Sequence, residues 1–247
     1  MTAAAFAVIG ASIFVTSFIA GVFGMAGGMI LLGVLLLYFD VATAMVVFSL
    51  LQLSSNLSRV FLWRAYILWP IFLQFVLGGA LAFGLMRLVA FIPDKAGVYL
   101  LLGAMPFLVE ALPAEARPNI EWRFVPYVCG FASTVVQLLA GSSGLFLDVF
   151  FQKSMLDRKT TVATKAACHT FGHVFRFGYF APLGGMSDAL PLWAIGGAVV
   201  LAVTSTALAP LVLNRMTDHG FRRWTRVLIL TVGATYLARA GWLYWHG

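Results

Sequence analysis

The stretch from Lys165 to Arg176, read KAACHTFGHVFR, holds the residue types best suited to chemistry. Lys165, His169, His173 and Arg176 are spaced so that a helix brings all four onto one face. Two of them carry a fixed positive charge, and two can gain one near neutral pH. On a soluble protein this stripe would be a solvated surface, but its flanks here run VAT and FGYFAPLG. It reads as a polar path through an apolar slab, able to hold an anion and to take up a proton beside it.

The slab follows from composition. Of the 247 residues, 62% are hydrophobic and 10% charged, far from the roughly one quarter charged of ordinary globular chains. The fold class expected is an all-α polytopic membrane protein with about seven or eight spans. A net charge of +7 would suit nucleic acid in a soluble chain. In a membrane chain it records orientation, because Lys and Arg stay in cytoplasmic loops, so no nucleic-acid partner is expected. The first apolar segment lacks a basic lead and continues to Phe39, which assigns it to the fold, not to a signal peptide. Cys129 and Cys168 have no CxxC spacing and read as packing residues.

Apolar segments run over about 3–39, 41–58, 66–92, 97–112, 125–152, 160–180, 189–213 and 225–245. A straight helix over 3–39 would be about 55 Å long, against a hydrocarbon core of about 30 Å. The first and fifth segments must therefore break or turn back, and each holds a cluster of small residues, GMAGG at 24–28 and AGSSG at 140–144. With both segments as hairpins, one side collects Arg59, Arg64, Arg117, Arg123, Lys153, Arg158, Lys159, Arg215, Arg222, Arg223 and Arg226, and the other loops hold Lys95. The basic side is expected to be cytoplasmic, with both termini outside and the chain in the inner membrane.

The halves repeat. Gly24–Leu31 lies over Ala140–Leu147, and one further residue aligns Asp40 with Asp157, Thr43 with Thr160, Gln52 with His169, Asn56 with His173 and Arg59 with Arg176. Residues 1–112 are the first transmembrane repeat, 113–124 a cytoplasmic linker and 125–247 the second repeat. Three crossings between corresponding hairpins turn the second repeat upside down, and inverted repeats with broken or re-entrant helices place a substrate site near the midplane.

Those two clusters, each followed by an Ala/Thr-rich segment, resemble the TauE/SafE sulfite exporter family over nearly the whole chain. The resemblance implies a permease that moves sulfite, organosulfonates or related small sulfur-containing anions, generally outward. The sequence departs from the family pattern at Ser142 and Ser143, where glycines are typical, at Asp148 within the apolar stretch, and in the Lys/His/His/Arg ladder of the second repeat. These changes bear on substrate identity.

The residues support an anion site by their own chemistry. Broken helices expose backbone N–H groups, so Gly24, Gly27, Gly28, Ser142, Ser143 and Gly144 can cradle oxygens. Arg59 and Arg176 offer planar donors to a sulfonate, and Gln52, Asn56, His169 and His173 complete the expected substrate-binding set. Ser49 and Ser55 extend the neutral polar face of the first repeat. Proton coupling is assigned to His169, His173 and Asp148. The same residues also have structural readings: small residues pack helices closely, and Arg59 or Arg176 can snorkel to an interface.

The leading function is a secondary transporter exporting a small sulfur-containing anion with proton coupling, with no enzyme activity and no cofactor. The alternatives are an intramembrane metalloenzyme using the HxxxH pair with Asp148, and a passive anion channel. Two histidines seldom hold zinc, and no Glu follows the first as in HExxH, so no metal is expected. No GxxxxGK[ST] loop is present to bind ATP. The expected partners are the anion and the lipid bilayer, and apolar faces leave room for a homo-oligomer.

Overall fold

A computed structural model describes residues 3–23, 25–184, 192–213 and 218–246. Gly24 and Arg215 fall outside the described residues. Helices and short connections account for the described chain, with no strand among those residues. That is the solution lipid enforces, because a helix satisfies its own backbone N–H and C=O groups.

The first long apolar segment is two helices, α1 (Ala3–Phe23) and α2 (Met25–Tyr38). α2 folds back onto α1, and Gly27 permits the approach: a Cβ there would collide with the backbone of Thr16 and Ala20. α3 (Val41–Trp63) starts at Asp40, whose carboxylate accepts from the Thr43 N–H at 3.0 Å. Burial pushes the Asp40 carboxyl up, but the Thr43 hydrogen bonds outweigh it and hold the group below its ordinary value. α4 (Trp69–Val89) and α5 (Lys95–Ala111) complete the first half.

The fifth segment also divides. α6 (Val125–Ala140) ends at Gly141, whose φ of 76° is the left-handed conformation glycine adopts without a Cβ penalty. α7 (Gly144–Phe151) follows after Ser143. α8 (Arg158–Phe180) starts at Asp157, which accepts from the Lys159 and Thr160 N–H groups at 2.9 and 3.1 Å. These bonds hold the Asp157 carboxyl below its ordinary value, led by those from Thr160. α3 and α8 each have 23 residues after an aspartate cap. α9 (Leu192–Leu208), α10 (Pro210–Leu213) and α11 (Asp218–His246) close the chain.

Four pairings hold the bundle together: α3 with α8, α5 with α11, α4 with α6 and α1 with α9. The first two are antiparallel. Lys159 at the start of α8 lies over the rings of Trp63, the last residue of α3, and Tyr66 in the turn after it, and Arg226 near the start of α11 pairs with Glu110 near the end of α5 at 2.5 Å. The other two are parallel. Gly130 lies against the Phe75 backbone and Gly79 against Thr134 one turn further along both helices, as a parallel pair requires, and Gly78 meets the Tyr127 backbone where α4 crosses α6. Ser205 donates to the Phe14 carbonyl, and Thr206 donates to the Ser17 carbonyl at 3.4 Å, tying α9 to α1.

These contacts gather Lys159, Arg226, Arg117, which bonds Gln152, and Lys153, which bonds the Glu115 carbonyl, at one end of the bundle. Lys95 lies at the other, as does Arg87, which donates to the Tyr179 carbonyl. α1 begins and α2 finishes at the Lys95 end, whereas α6 begins and α7 finishes at the basic end. Each broken pair returns to the end it left.

Helix faces follow from spacing. On α4, Leu73, Leu77, Leu81 and Leu85 recur every four residues and are exposed, while Phe75, Gly78, Gly79 and Ala82 are buried. The leucine face has the chemistry of a lipid contact. Among the described residues, Val41–Tyr66, Trp69–Val89 and Arg223–His246 are helical stretches long and apolar enough to cross a membrane. α8 is as long as α3 but carries its polar ladder inward.

Gly130→Leu is expected to force α6 off α4, because Phe75 backbone occupies the added volume. The cost should be about 1–3 kcal/mol or more, read as a lowered unfolding midpoint in detergent. Gly84→Leu, where a Cβ meets nothing within 4 Å, should leave the midpoint unchanged. Equal midpoints for the two variants would contradict the crossing.

Candidate functional site

α3 and α8 pack along each other at the centre of the bundle, and the starts of α2 and α7 meet there. Between them lies a cavity of about 460 Å³. α2 contributes Gly28, α3 contributes Gln52, Ser55, Asn56 and Arg59, and α8 contributes Lys165, His169 and His173. Ser142, Ser143, Gly144 and Asp148 come from the α6–α7 turn and α7. Of the expected substrate-binding residues, Gly27 and Arg176 do not line this cavity. Gly27 faces α1, Arg176 lies behind the wall, and Gly24 is outside the described residues.

The lining is built by small residues as much as by polar ones. A Cβ on Gly28 would come within 3.2 Å of Gln52 Nε2, so glycine there leaves room for the amide beside the first turn of α2. Gly144 opens α7, and Gly28 and Gly144 are matched by the repeat. Two helix starts, with unpaired N–H groups and the positive end of the backbone dipole, therefore contribute to the same space.

Arg176 organises the wall from inside. Its side chain is fully buried and reaches three elements: Nε donates to Ser49 Oγ on α3 at 2.8 Å, Nη1 donates to the Gly141 carbonyl at the α6 break, and Nη2 meets His173 Nδ1 at 3.1 Å. The Phe48 ring lies under the guanidinium, 4.3 Å from its centre. Hydrogen bonds to charged groups contribute about 1.5–3 kcal/mol each. The break at Gly141 thus has its carbonyl satisfied by a side chain 35 residues further along, on α8.

Donor chemistry then fixes the orientation of a chain of groups. A guanidinium only donates, so His173 Nδ1 accepts and carries no proton. Gln137 lies 3.1 Å from the same Nδ1, which requires its NH₂ there and leaves its Oε1 to accept from Ser143 Oγ at 2.9 Å. Gly172 makes the space, since a Cβ there would meet Gln137 Oε1 at 2.6 Å. His173 is therefore the neutral tautomer with its proton on Nε2, a fixed donor. His169 stacks on it, ring centres 6.3 Å apart.

Lys165 and Asp148 form an ion pair on the cavity wall. With Arg59 the wall carries two cations and one carboxylate, a surplus of one positive charge suited to an anion. Among the described residues no group of three His, Cys, Asp or Glu side chains is placed to hold a metal.

From sequence, no site role falls to Gln137 or Thr225, both of which line the cavity. Lys165, part of the ladder but outside the expected substrate-binding set, lines it too. For Gln137 the available signal is a lone amide in the apolar stretch just before the serine cluster.

A protein-family model described as Sulfite exporter TauE/SafE matches residues 9–236. No curated protein and no solved structure matches the chain.

Nitrogen NMR of histidine-labelled protein is expected to show His173 with a bare Nδ1 and a protonated Nε2, and Arg176→Met should release that preference. A protonated Nδ1 in the unmodified protein would contradict the network.

Proposed function

The chain belongs to the TauE/SafE sulfite exporter family, and from that premise we propose a secondary transporter that exports sulfite or an organosulfonate through the cavity between α3 and α8. The observation that carries this reading is the cavity itself: two helix starts, neutral donors and a net positive wall, enclosed by otherwise apolar helices. A sulfonate presents three oxygens around one centre. Arg59, Lys165, the His173 Nε2–H and the Ser142 hydroxyl supply donors suited to its oxygens and charge, since the Ser143 hydroxyl is already given to Gln137.

The same reading takes the halves 1–112 and 125–247 as inverted repeats joined by a cytoplasmic linker at 113–124. It is supported by the exchange of partners: α1 with α9 answers α6 with α4, both parallel, while α3 with α8 and α5 with α11 are self-matched and antiparallel. The basic end then faces the cytoplasm of a cell whose inner membrane holds the protein, with both termini outside. Rocking of the halves about the α3–α8 contact would open the cavity to each side in turn. Proton coupling falls to Asp148 and His169, since His173 Nδ1 is taken by Arg176 and Gln137.

Counterflow in proteoliposomes tests the reading. Vesicles loaded with unlabelled sulfite, thiosulfate or sulfoacetate should accumulate labelled sulfite, and vesicles loaded with lactate should not. Arg59→Gln should slow exchange about 10- to 100-fold, the loss of one charge-assisted contact. Exchange with lactate as fast as with sulfite, or no exchange by folded protein, would reject it.

A further inference from the structure

Asp148 is the one carboxylate among the described residues lining the cavity, and it is spent on one of the two lining cations, Lys165. The pair sits on the wall, not in the packed interior: the two side chains are 25% and 24% exposed. They come from different elements, Asp148 from α7 and Lys165 from α8, so a movement of one helix against the other can part them. To an ammonium, an aspartate carboxylate presents what a sulfur oxyanion presents, negatively charged oxygens on a small planar or pyramidal centre. A site for anions thus has its own anion already bound.

We propose that Asp148 is a resident stand-in for the substrate: its carboxylate holds Lys165 until a sulfur oxyanion arrives, and the oxyanion takes Lys165 as Asp148 takes up a proton. This rests on the transport reading above and adds the pair on which proton and anion are exchanged. The contact between Lys165 Nζ and Asp148 Oδ1 breaks, and one between Nζ and a substrate oxygen forms. The proton passes from cavity water to a carboxylate oxygen of Asp148. Without it, two anions would share one ammonium, and like charges side by side favour protonation of one. With it, Arg59 and Lys165 together balance a divalent oxyanion.

The other groups facing Asp148 are consistent with this assignment. α8 presents Lys165, His169 and His173, with His173 Nδ1 already engaged, and α3 presents Arg59. α6 contributes the neutral Gln137 and α11 the neutral Thr225. The Glu110 carboxylate of α5 is paired with Arg226.

The test is thiosulfate binding to the purified full chain in detergent, measured by titration calorimetry across the neutral pH range. Thiosulfate keeps both charges there, so any pH dependence belongs to the protein. Binding with uptake of one proton should weaken by up to about tenfold per pH unit as pH rises. Asp148→Asn should abolish that slope and bind more tightly than the unmodified protein at the alkaline end. Lys165→Gln should weaken binding by about tenfold or more throughout while keeping a slope, because Asp148 still meets the charge of the anion. If Asp148→Asn does not fold, Asp148→Ser takes its place, and the slope should again vanish.

A slope surviving in the folded Asp148 variant, Lys165→Gln binding as tightly as the unmodified protein, or unmodified protein binding thiosulfate independently of pH, would overturn the inference and leave the transport reading standing. No binding of thiosulfate, sulfite or methanesulfonate by folded unmodified protein would overturn both.

Discussion

The Arg176 guanidinium donating to the Gly141 carbonyl is the contact on which the site depends. A helix that stops inside a membrane leaves C=O groups at its end and N–H groups at the next helix start, and lipid satisfies neither. Arg176 takes the carbonyl side of that problem at the α6 break. The N–H side is left for the cavity. One buried cation therefore separates the two ends of a broken helix into a structural half and a binding half, and the neutral state of His173 follows from it.

The remaining architecture brings such breaks together. Glycines at the α4–α6 and α5–α11 crossings let backbones approach, which packs the helices without a hydrophobic driving force of the kind water supplies. The antiparallel α3–α8 pair then offers polar residues from both helices to one space, and α2 and α7 start against it. Charge is distributed the same way: the lining cations have one carboxylate between them, so binding an anion there changes few other contacts.

Much of this was legible in the sequence. The spacing of Lys165, His169 and His173 put them on one face, and they do line one cavity with Gln52, Asn56 and Arg59. Segment length demanded breaks, and helices end beside the small-residue clusters; Asp40 and Asp157 cap helices of equal length. What was not legible depends on depth and on partners distant in sequence. Arg176 could snorkel or be buried, and only the packing of Ser49, Phe48 and Gly141 around it decides. The pairing of Asp148 with Lys165 joins two helices whose relative placement no periodicity encodes. Gln137 is one amide in an apolar helix, and its role appears only with His173 and Ser143 beside it.

The account stands on an anion sitting between the starts of α2 and α7, and locating one there is the most direct test. Crystals soaked in selenate, with data collected at the selenium edge, are expected to give an anomalous peak inside the cavity, within hydrogen-bond reach of Lys165 and of the backbone at Gly28 or Gly144. A peak confined to the basic outer surface, with the Lys165–Asp148 pair intact and the cavity holding none, would contradict it.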